Sequence, residues 1–339
     1  MTFDIRPRTV IAALFALSLL APFNAKFSGT FSNFTKTGDF FSLIASAPYA
    51  SLAGSAEEPA AGSSKPAFGA FDEIRLEAKS AVVWDAGSDR AIFAWNAAES
   101  RALASLTKLA TAVVGERLAE SVGVSERVVR LTPEAIQEEG DDGFTIGERF
   151  YFSDIRDAML VKSSNDAARA IAEWAEPLLQ GAGSAGPAFI NEMNRVAAEI
   201  GLRNTYFLNA TGLDLTPERA GAVGSAEDFA RLVAWIIKQS PHILFATQAS
   251  SVDIVSQDGD RHHFVASAKP ALAIPGLVGA KTGFTDLAGG NLVLAVSAFG
   301  RSYVIVVLGS TREGRFSDAM ALWQASVDFS GAAPHNTAL

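Results

Sequence analysis

The 339-residue chain has no cysteine. That absence excludes disulfides, thiolate zinc sites and a cysteine nucleophile together. Histidine is scarce: His242, His262, His263 and His335 are the only four. None stands at a zinc-type spacing from a partner, so no metal centre is expected and the four are read as structural or solvated. Basic runs are missing as well. With a formal charge of −9, nothing offers a nucleic-acid footprint. There is no internal repeat. What is plentiful is apolar sequence, 49% of the chain against 19% charged, enough to bury a core in one large domain or two ordinary ones.

Arg6 and Arg8 precede an apolar run from Val10 to Phe23. The run has the length of a signal-peptide core and is short for a spanning helix, which needs about 20 residues. Residues 1–23 are therefore expected to be a signal peptide or a retained N-terminal membrane anchor. The first good small-x-small cleavage site, Ala45-Ser46-Ala47, lies well downstream. Residues 24–75 read as a low-complexity spacer, rich in Ala, Gly, Ser and Pro towards its end. Order is expected from about Ala78, in a domain over 76–330 with a tail at 331–339.

Within that domain "SAVVWDAGSDRAIFAWN" reads as a hairpin with strands Ala81–Trp84 and Ala91–Trp95. "SLTKLATAVVGERLAE" then takes a helical period, placing Leu106, Leu109, Ala110, Val113, Val114 and Arg117 on one face of an amphipathic helix. Two helical segments meet near Ser163. A further amphipathic helix ends at Gly201, and another opens at Ser225 with Asp228 three positions on, an approximate capping box. Three β-rich runs, "GLVGAKTGFT", "GNLVLAVSAFG" and "RSYVIVVLGS", precede a closing helix. Strands at both chain ends around a helical block predict an α+β fold with one antiparallel sheet assembled from both ends.

Three polar clusters carry chemistry. Ser105 and Lys108 form Ser-x-x-Lys at a helix start, where a spacing of three puts both side chains on one face. A serine hydroxyl needs a base to take its proton, and a lysine made neutral by burial or a neighbouring cation can serve. The plainer alternative is a serine cap beside a solvated lysine. Ser163-Ser164-Asn165 lies at the helix junction, suited to relaying a proton or, equally, to capping a helix. Lys281-Thr282-Gly283 lies on a strand able to hold an extended peptide that ends in a carboxylate, or on one that simply stops at its glycine. The same tripeptide, Lys36-Thr37-Gly38, falls in the spacer and is read as coincidence. Taken in order, Ser-x-x-Lys, Ser-x-Asn and Lys-Thr-Gly each occupy the element their chemistry requires.

From about Ala78 to Phe329 the chain resembles the low-molecular-mass penicillin-binding proteins, the serine D-alanyl-D-alanine carboxypeptidases. The likeness rests on "ASLTKLAT", "VKSSNDAA", "MNRVAAEIGLRNTYFLNATGLD" and "GAKTGFTDLAGGNL". It implies a β-lactamase/transpeptidase-like fold and release of the terminal D-alanine from peptidoglycan stem peptides, with no cofactor. By the same resemblance Ser105 is the acylated nucleophile and Lys108 its base. Ser163 relays protons, Asn165 orients Lys108 and the substrate amide, and Lys281 assists electrostatically. Thr282 binds the terminal carboxylate, Gly283 and Thr285 border the substrate, and the N–H groups of Ser105 and Phe284 form the oxyanion hole. The implied partners are stem peptides ending in D-Ala-D-Ala and, as covalent inhibitors, β-lactams. The implied location is the periplasm or the outer face of the cytoplasmic membrane.

Two features depart from the resemblance. Ser164 stands where glycine is common, and only 27 residues follow Arg312, too few for the β domain and amphipathic helix of many relatives. Any membrane attachment is thus expected from residues 10–23. A D,D-endopeptidase shares all three motifs. A serine β-lactamase needs a second base, for which Glu218 lacks the expected spacing before Asn209. A non-catalytic penicillin-binding scaffold has no need to keep the whole set.

Overall fold

The computed structural model describes residues 69–140, 142–179 and 187–332. The expected signal or anchor segment, most of the spacer, Lys36-Thr37-Gly38 and His335 lie outside them. Packing starts earlier than Ala78: the Phe71 ring stacks on Phe93 with centroids 5.2 Å apart, and Ile74 joins the same cluster.

The chain opens with strands β1 (Ser80–Asp85), β2 (Arg90–Trp95) and β3 (Arg101–Ala102), followed by helix α1 (Lys108–Ser121). Strands β4 (Val128–Arg130) and β5 (Arg149–Tyr151) precede α2 (Phe152–Lys162), α3 (Asn165–Ala175) and α4 (Ala188–Ile200). Next come β6 (Tyr206–Phe207), β7 (Ala222–Gly224), α5 (Ala226–Gln239), β8 (Ser251–Val255) and β9 (Arg261–Val265). The chain then runs through β10 (Leu277–Thr285), β11 (Gly289–Ala298), β12 (Arg301–Ser310) and α6 (Gly314–Ala332).

The main sheet has the order β10-β11-β12-β1-β2, so strands from both ends of the domain meet at its centre, as the α+β reading predicts. The β1–β12 pair is antiparallel and registers Ser80 with Leu308 and Asp85 with Tyr303. Side chains alternate across a strand. Val82, Trp84, Val304 and Val306 therefore face the helical block, while Ala81, Val83, Ile305 and Val307 face α6. All six residues of β1 are buried because helices cover both faces: α5 supplies Phe229 and Val233 on one side, α6 supplies Leu322 and Trp323 on the other. Continuous apolar strands are what a two-sided core requires.

Two local expectations change. Helix α1 is not amphipathic: Lys108 to Gly115 are all buried, because the helix runs through the middle of the block and packs against α2, α3, α4 and α5. At the start of α5, Ser225 Oγ accepts from Asp228 N, but the Asp228 carboxylate does not return the bond. It accepts instead from Arg203 N, Asn204 N and Thr205 Oγ1, fastening the turn after α4 to α5.

Candidate functional site

Ser105 lies in a 3-10 turn, Ala104–Thr107, rather than in the α-helix proper, which begins at Lys108. The turn is held from three directions. Asn291, fully buried on β11, donates through Nδ2 to the carbonyls of Ala102 and Leu103, each at 3.0 Å, and accepts from Gly309 N. Leu103 N donates to Ala222 O on β7. Ala104 itself has φ of 49°, in the left-handed region that a residue with a Cβ occupies at a cost. Against its carbonyl sits Gly212, also left-handed, where a Cβ would lie 1.9 Å from Ala104 O. Gly283 of β10 passes beside the same turn, and a Cβ there would lie 3.0 Å from Leu103 O and 3.2 Å from Ser105 N. The glycine is what allows the strand and the Ser105 turn to approach so closely.

One turn of helix onward, Lys108 has no exposed surface. Its Nζ donates to Ser105 Oγ (2.8 Å), Asn165 Oδ1 (2.7 Å) and the carbonyl of Thr211 (2.8 Å). All three donor positions are filled by neutral acceptors, so no carboxylate touches the ammonium. Burial lowers its pKa from the ordinary 10.5 to about 7, with Asp142 and Glu138 opposing the drop from a distance. At neutral pH a substantial fraction is therefore an amine within hydrogen-bond reach of the serine. Asn165 is steadied in turn, since its Nδ2 donates to the carbonyl of Glu139.

Ser163 closes α2 in the left-handed conformation, with φ of 71°, and the chain turns there into α3. That geometry aims its hydroxyl at β10, where Lys281 Nζ donates to Ser163 Oγ at 2.6 Å and to the carbonyl of Thr282 at 2.8 Å. Lys281 is 1% exposed. Its pKa is held well below the lysine range by burial, then by Lys108 and Arg315. Thr282 Oγ1 donates to Ser267 Oγ, and Thr285 Oγ1 donates to Asp214. Ser164, at the position of the first departure, caps α3 by accepting from Ala167 N.

The structure thus brings Ser105, Lys108, Ser163, Asn165 and Lys281 into one network, with Thr282 to Thr285 continuing along the strand. Sequence reasoning gave no role to Thr211, Asn291 or Arg315. Arg315, near the start of α6, donates through Nη1 to the Gly283 carbonyl and is 7% exposed. Burial and the neighbouring Arg312 lower its pKa to about 10. Arg312 lies over the Phe284 ring, 3.7 Å from its centroid. Two arginines, Arg312 and Arg315, therefore back β10. Glu218 is exposed and bonded to Thr216.

Among the described residues, Glu116, Glu120 and His242 have ligand atoms within 4.8 Å of one another. They sit at the far end of α1 from Ser105, and Glu116 is already paired with Arg156 at 2.6 Å and His242 at 3.1 Å. His262 is packed against Phe144 and Phe264 and pairs with buried Glu148, while His263 pairs with Asp253.

A family model described as D-alanyl-D-alanine carboxypeptidase matches residues 66–312. The D-alanyl-D-alanine carboxypeptidase DacF of Bacillus subtilis is 29% identical over 242 residues, covering 70% of this chain and 59% of its own. DacD of Escherichia coli is 28% identical over 265 residues, covering 73% and 62%. The chain thus spans about three fifths of the length of the curated relatives it matches. Penicillin-binding protein D2 of Listeria monocytogenes, solved in an ampicillin-bound form, is 27% identical with a TM-score of 0.61, covering 75% of this chain and 99% of that one. A carboxypeptidase of Mycobacterium tuberculosis shares the fold, at 23% identity and a TM-score of 0.65, covering 78% and 94%.

Proposed function

The chain belongs to the D-alanyl-D-alanine carboxypeptidase family, and from that membership we propose that it is a serine peptidase releasing the terminal D-alanine from peptidoglycan stem peptides. One observation carries the reading: a buried lysine with its pKa lowered to about 7 donates to Ser105 Oγ at 2.8 Å. Such a pair is an activated nucleophile and its base.

The steps follow from the network. Ser105 Oγ attacks the carbonyl carbon of the penultimate D-alanine while its proton passes to Lys108 Nζ. The N–H groups of Ser105 and Phe284 receive the oxyanion, in the tight space that Gly283 leaves open. The C–N bond then breaks. The departing amine takes a proton through Ser163, which is bridged to Lys281 at 2.6 Å, and Lys108 surrenders to this relay the proton it took from Ser105, so that it is a neutral base again before water enters. Asn165 keeps Lys108 aimed at Ser105 throughout. Thr282, Thr285 and the positive field of Arg315 hold the terminal carboxylate. Water then attacks the acyl-enzyme ester by the same base, returning free Ser105 and a stem shortened by one residue.

A β-lactam stopped at the acyl stage is the corresponding inhibitor, in keeping with the ampicillin-bound and cefotaxime-bound forms of the Listeria relative. We further propose that residues 1–23 direct export to the periplasm or the outer face of the cytoplasmic membrane, with residues 10–23 as the candidate attachment. Among the described residues, no helix is long and apolar enough to cross a membrane.

The deciding experiment incubates the purified chain with a labelled penicillin and with a pentapeptide ending in D-Ala-D-Ala. Wild type is expected to form an adduct at Ser105 and to release D-alanine, and Ser105→Ala to do neither. No adduct at Ser105 sinks the assignment; an adduct without D-alanine release shifts it to endopeptidase, transpeptidase or scaffold.

A further inference from the structure

A neutral Lys108 has two N–H groups and one lone pair, and only the lone pair can take the proton of Ser105. Of its three neighbours, Asn165 Oδ1 and the Thr211 carbonyl can only accept, whereas the Ser105 hydroxyl can also donate. Both amine hydrogens are therefore drawn to Asn165 and Thr211, and the lone pair is left facing Ser105 Oγ, 2.8 Å away. The serine O–H bond then breaks as a third N–H forms. With one such acceptor alone, the amine could turn about Cε–Nζ and offer the serine an N–H instead. The aim of the base thus depends on Thr211 as much as on Asn165.

The Thr211 carbonyl belongs to a turn over residues 209–213, and one half-buried side chain, Asn209, shapes it. Its Oδ1 accepts from Gly212 N at 2.7 Å and from Thr211 Oγ1 at 3.3 Å, and its Nδ2 donates to Leu213 O at 2.9 Å. The Asn209 main chain is fixed as well, since Leu208 N and Asn209 N both donate to Gly221 O. A Cβ at Gly221 would lie 2.0 Å from Leu213 O and 2.3 Å from Asn209 Nδ2, so the two segments are in close contact. The turn then meets the nucleophile's helix residue by residue. Ala210 O accepts from Thr111 Oγ1 at 2.7 Å, Thr211 O accepts from Lys108 Nζ at 2.8 Å, and Gly212 abuts the Ala104 carbonyl. Thr211 is 3% exposed, which leaves little room for water to replace its carbonyl. Asp142, Glu138 and Lys281, the charged groups that act on Lys108, stand outside the turn.

We propose that Asn209 is a positioning residue for the general base: it fixes the Thr211 carbonyl, which turns the lone pair of Lys108 onto Ser105. The inference rests on the peptidase reading and deepens it, by naming a side chain outside the three motifs on which acylation depends.

The test follows labelling of Ser105 by a fluorescent penicillin from pH 5.5 to 10 in full-length wild type, Asn209→Ala and Asn209→Asp, with the folding of each checked by thermal melt. In Asn209→Ala the plateau rate is expected to fall about tenfold, because the base is misaimed. The bend near pH 7 should move down by about one unit, because an ammonium loses more than an amine when a carbonyl withdraws. Asn209→Asp keeps the bonds from Gly212 N and Thr211 Oγ1 and adds a negative charge, so most of the plateau should return while the bend moves up. A residue that merely stabilised the fold would change the fraction labelled without moving the bend in opposite directions. An unchanged plateau in Asn209→Ala, or a lowered plateau with an unmoved or raised bend, overturns the inference. Should Asn209→Ala not fold, Asn209→Asp decides alone, and a lost plateau or an unmoved bend in it overturns the inference. No labelling of the wild type defeats both readings; labelling without release of D-alanine from a pentapeptide defeats the peptidase reading alone.

Discussion

The acylation rate of Ser105 is expected to bend near pH 7, and the position of that bend tests the site's chemistry. Among the described residues Lys108 is the only base in contact with the serine hydroxyl, and burial brings its pKa from 10.5 to about 7. Its neutral fraction then climbs from about one tenth at pH 6 to about nine tenths at pH 8. The second-order rate constant for labelling by a fluorescent penicillin should rise about tenfold over that interval and then level off. A lysine at its ordinary value would instead give a rise of about a hundredfold over the same interval, continuing to pH 10. Asp142 is the largest influence holding the Lys108 pKa up. Asp142→Asn should therefore move the bend to lower pH and make the variant faster than wild type at pH 6. The measurement is a quenched-flow labelling series from pH 5.5 to 10 at constant ionic strength. A rate with no bend below pH 9, or a bend that moves up in Asp142→Asn, would refute a neutral Lys108 as the base.

Three further outcomes follow from the packing around the nucleophile. Gly283→Ala would push a methyl group within 3.0 Å of Leu103 O and 3.2 Å of Ser105 N, and should cost about 1–3 kcal/mol by urea unfolding together with at least a tenfold loss of acylation; an unchanged acylation rate would contradict the close approach of β10. Asn291→Ala removes two donated bonds and one accepted bond from a fully buried position, so a loss of about 2–4 kcal/mol and slower acylation are expected; a shift below 1 kcal/mol would show that the turn is held elsewhere. In the unfolded chain Lys108 keeps its proton to about pH 10.5, and in the folded chain it loses it near 7. Between those values the unfolded state binds more protons, so wild-type stability should rise with pH relative to Lys108→Met, by up to about 5 kcal/mol. Thermal melts of both proteins at pH 6, 8 and 10 measure that gap, and a gap independent of pH would mean that the lysine is not desolvated.

Much of this molecule is legible in its residues, for identifiable reasons. The strands declare themselves because β1 and β12 are apolar on both faces, a pattern that few other elements of that length produce. Ser105, Lys108, Ser163, Asn165 and Lys281 are legible because their side chains do the bonding, so spacing and order carry the information. Thr211 is not, because it contributes a main-chain carbonyl, and any residue has one. Asn291 stands in "GAKTGFTDLAGGNL", yet nothing in that stretch shows that its amide reaches back to Ala102 and Leu103. Arg315 is distant in sequence and meets the site only because α6 folds back over β12 and β11, from where Arg315 reaches Gly283 of β10. Helix α1 misleads through its periodicity: one face was expected to be apolar, but alanines, threonine, glycine and a buried lysine fill the others, as a helix surrounded by helices demands.

The pairing of β1 with β12 has a consequence for how the protein is made. Synthesis delivers β1 and the nucleophile early and β12 late, so the central strand has only β2 beside it until nearly the whole domain has emerged. Contacts so far apart in sequence form slowly, and a strand apolar on both faces invites aggregation while it waits. The same order delays the chemistry. Asn291, which pins the serine turn, and Lys281, which bridges Ser163, both arrive after every helix but α6. A nascent or truncated chain that ends before β10 carries Ser105 braced by β7 and Gly212 alone, without Asn291 or Lys281, and is expected to stay inert until the last strands close over it.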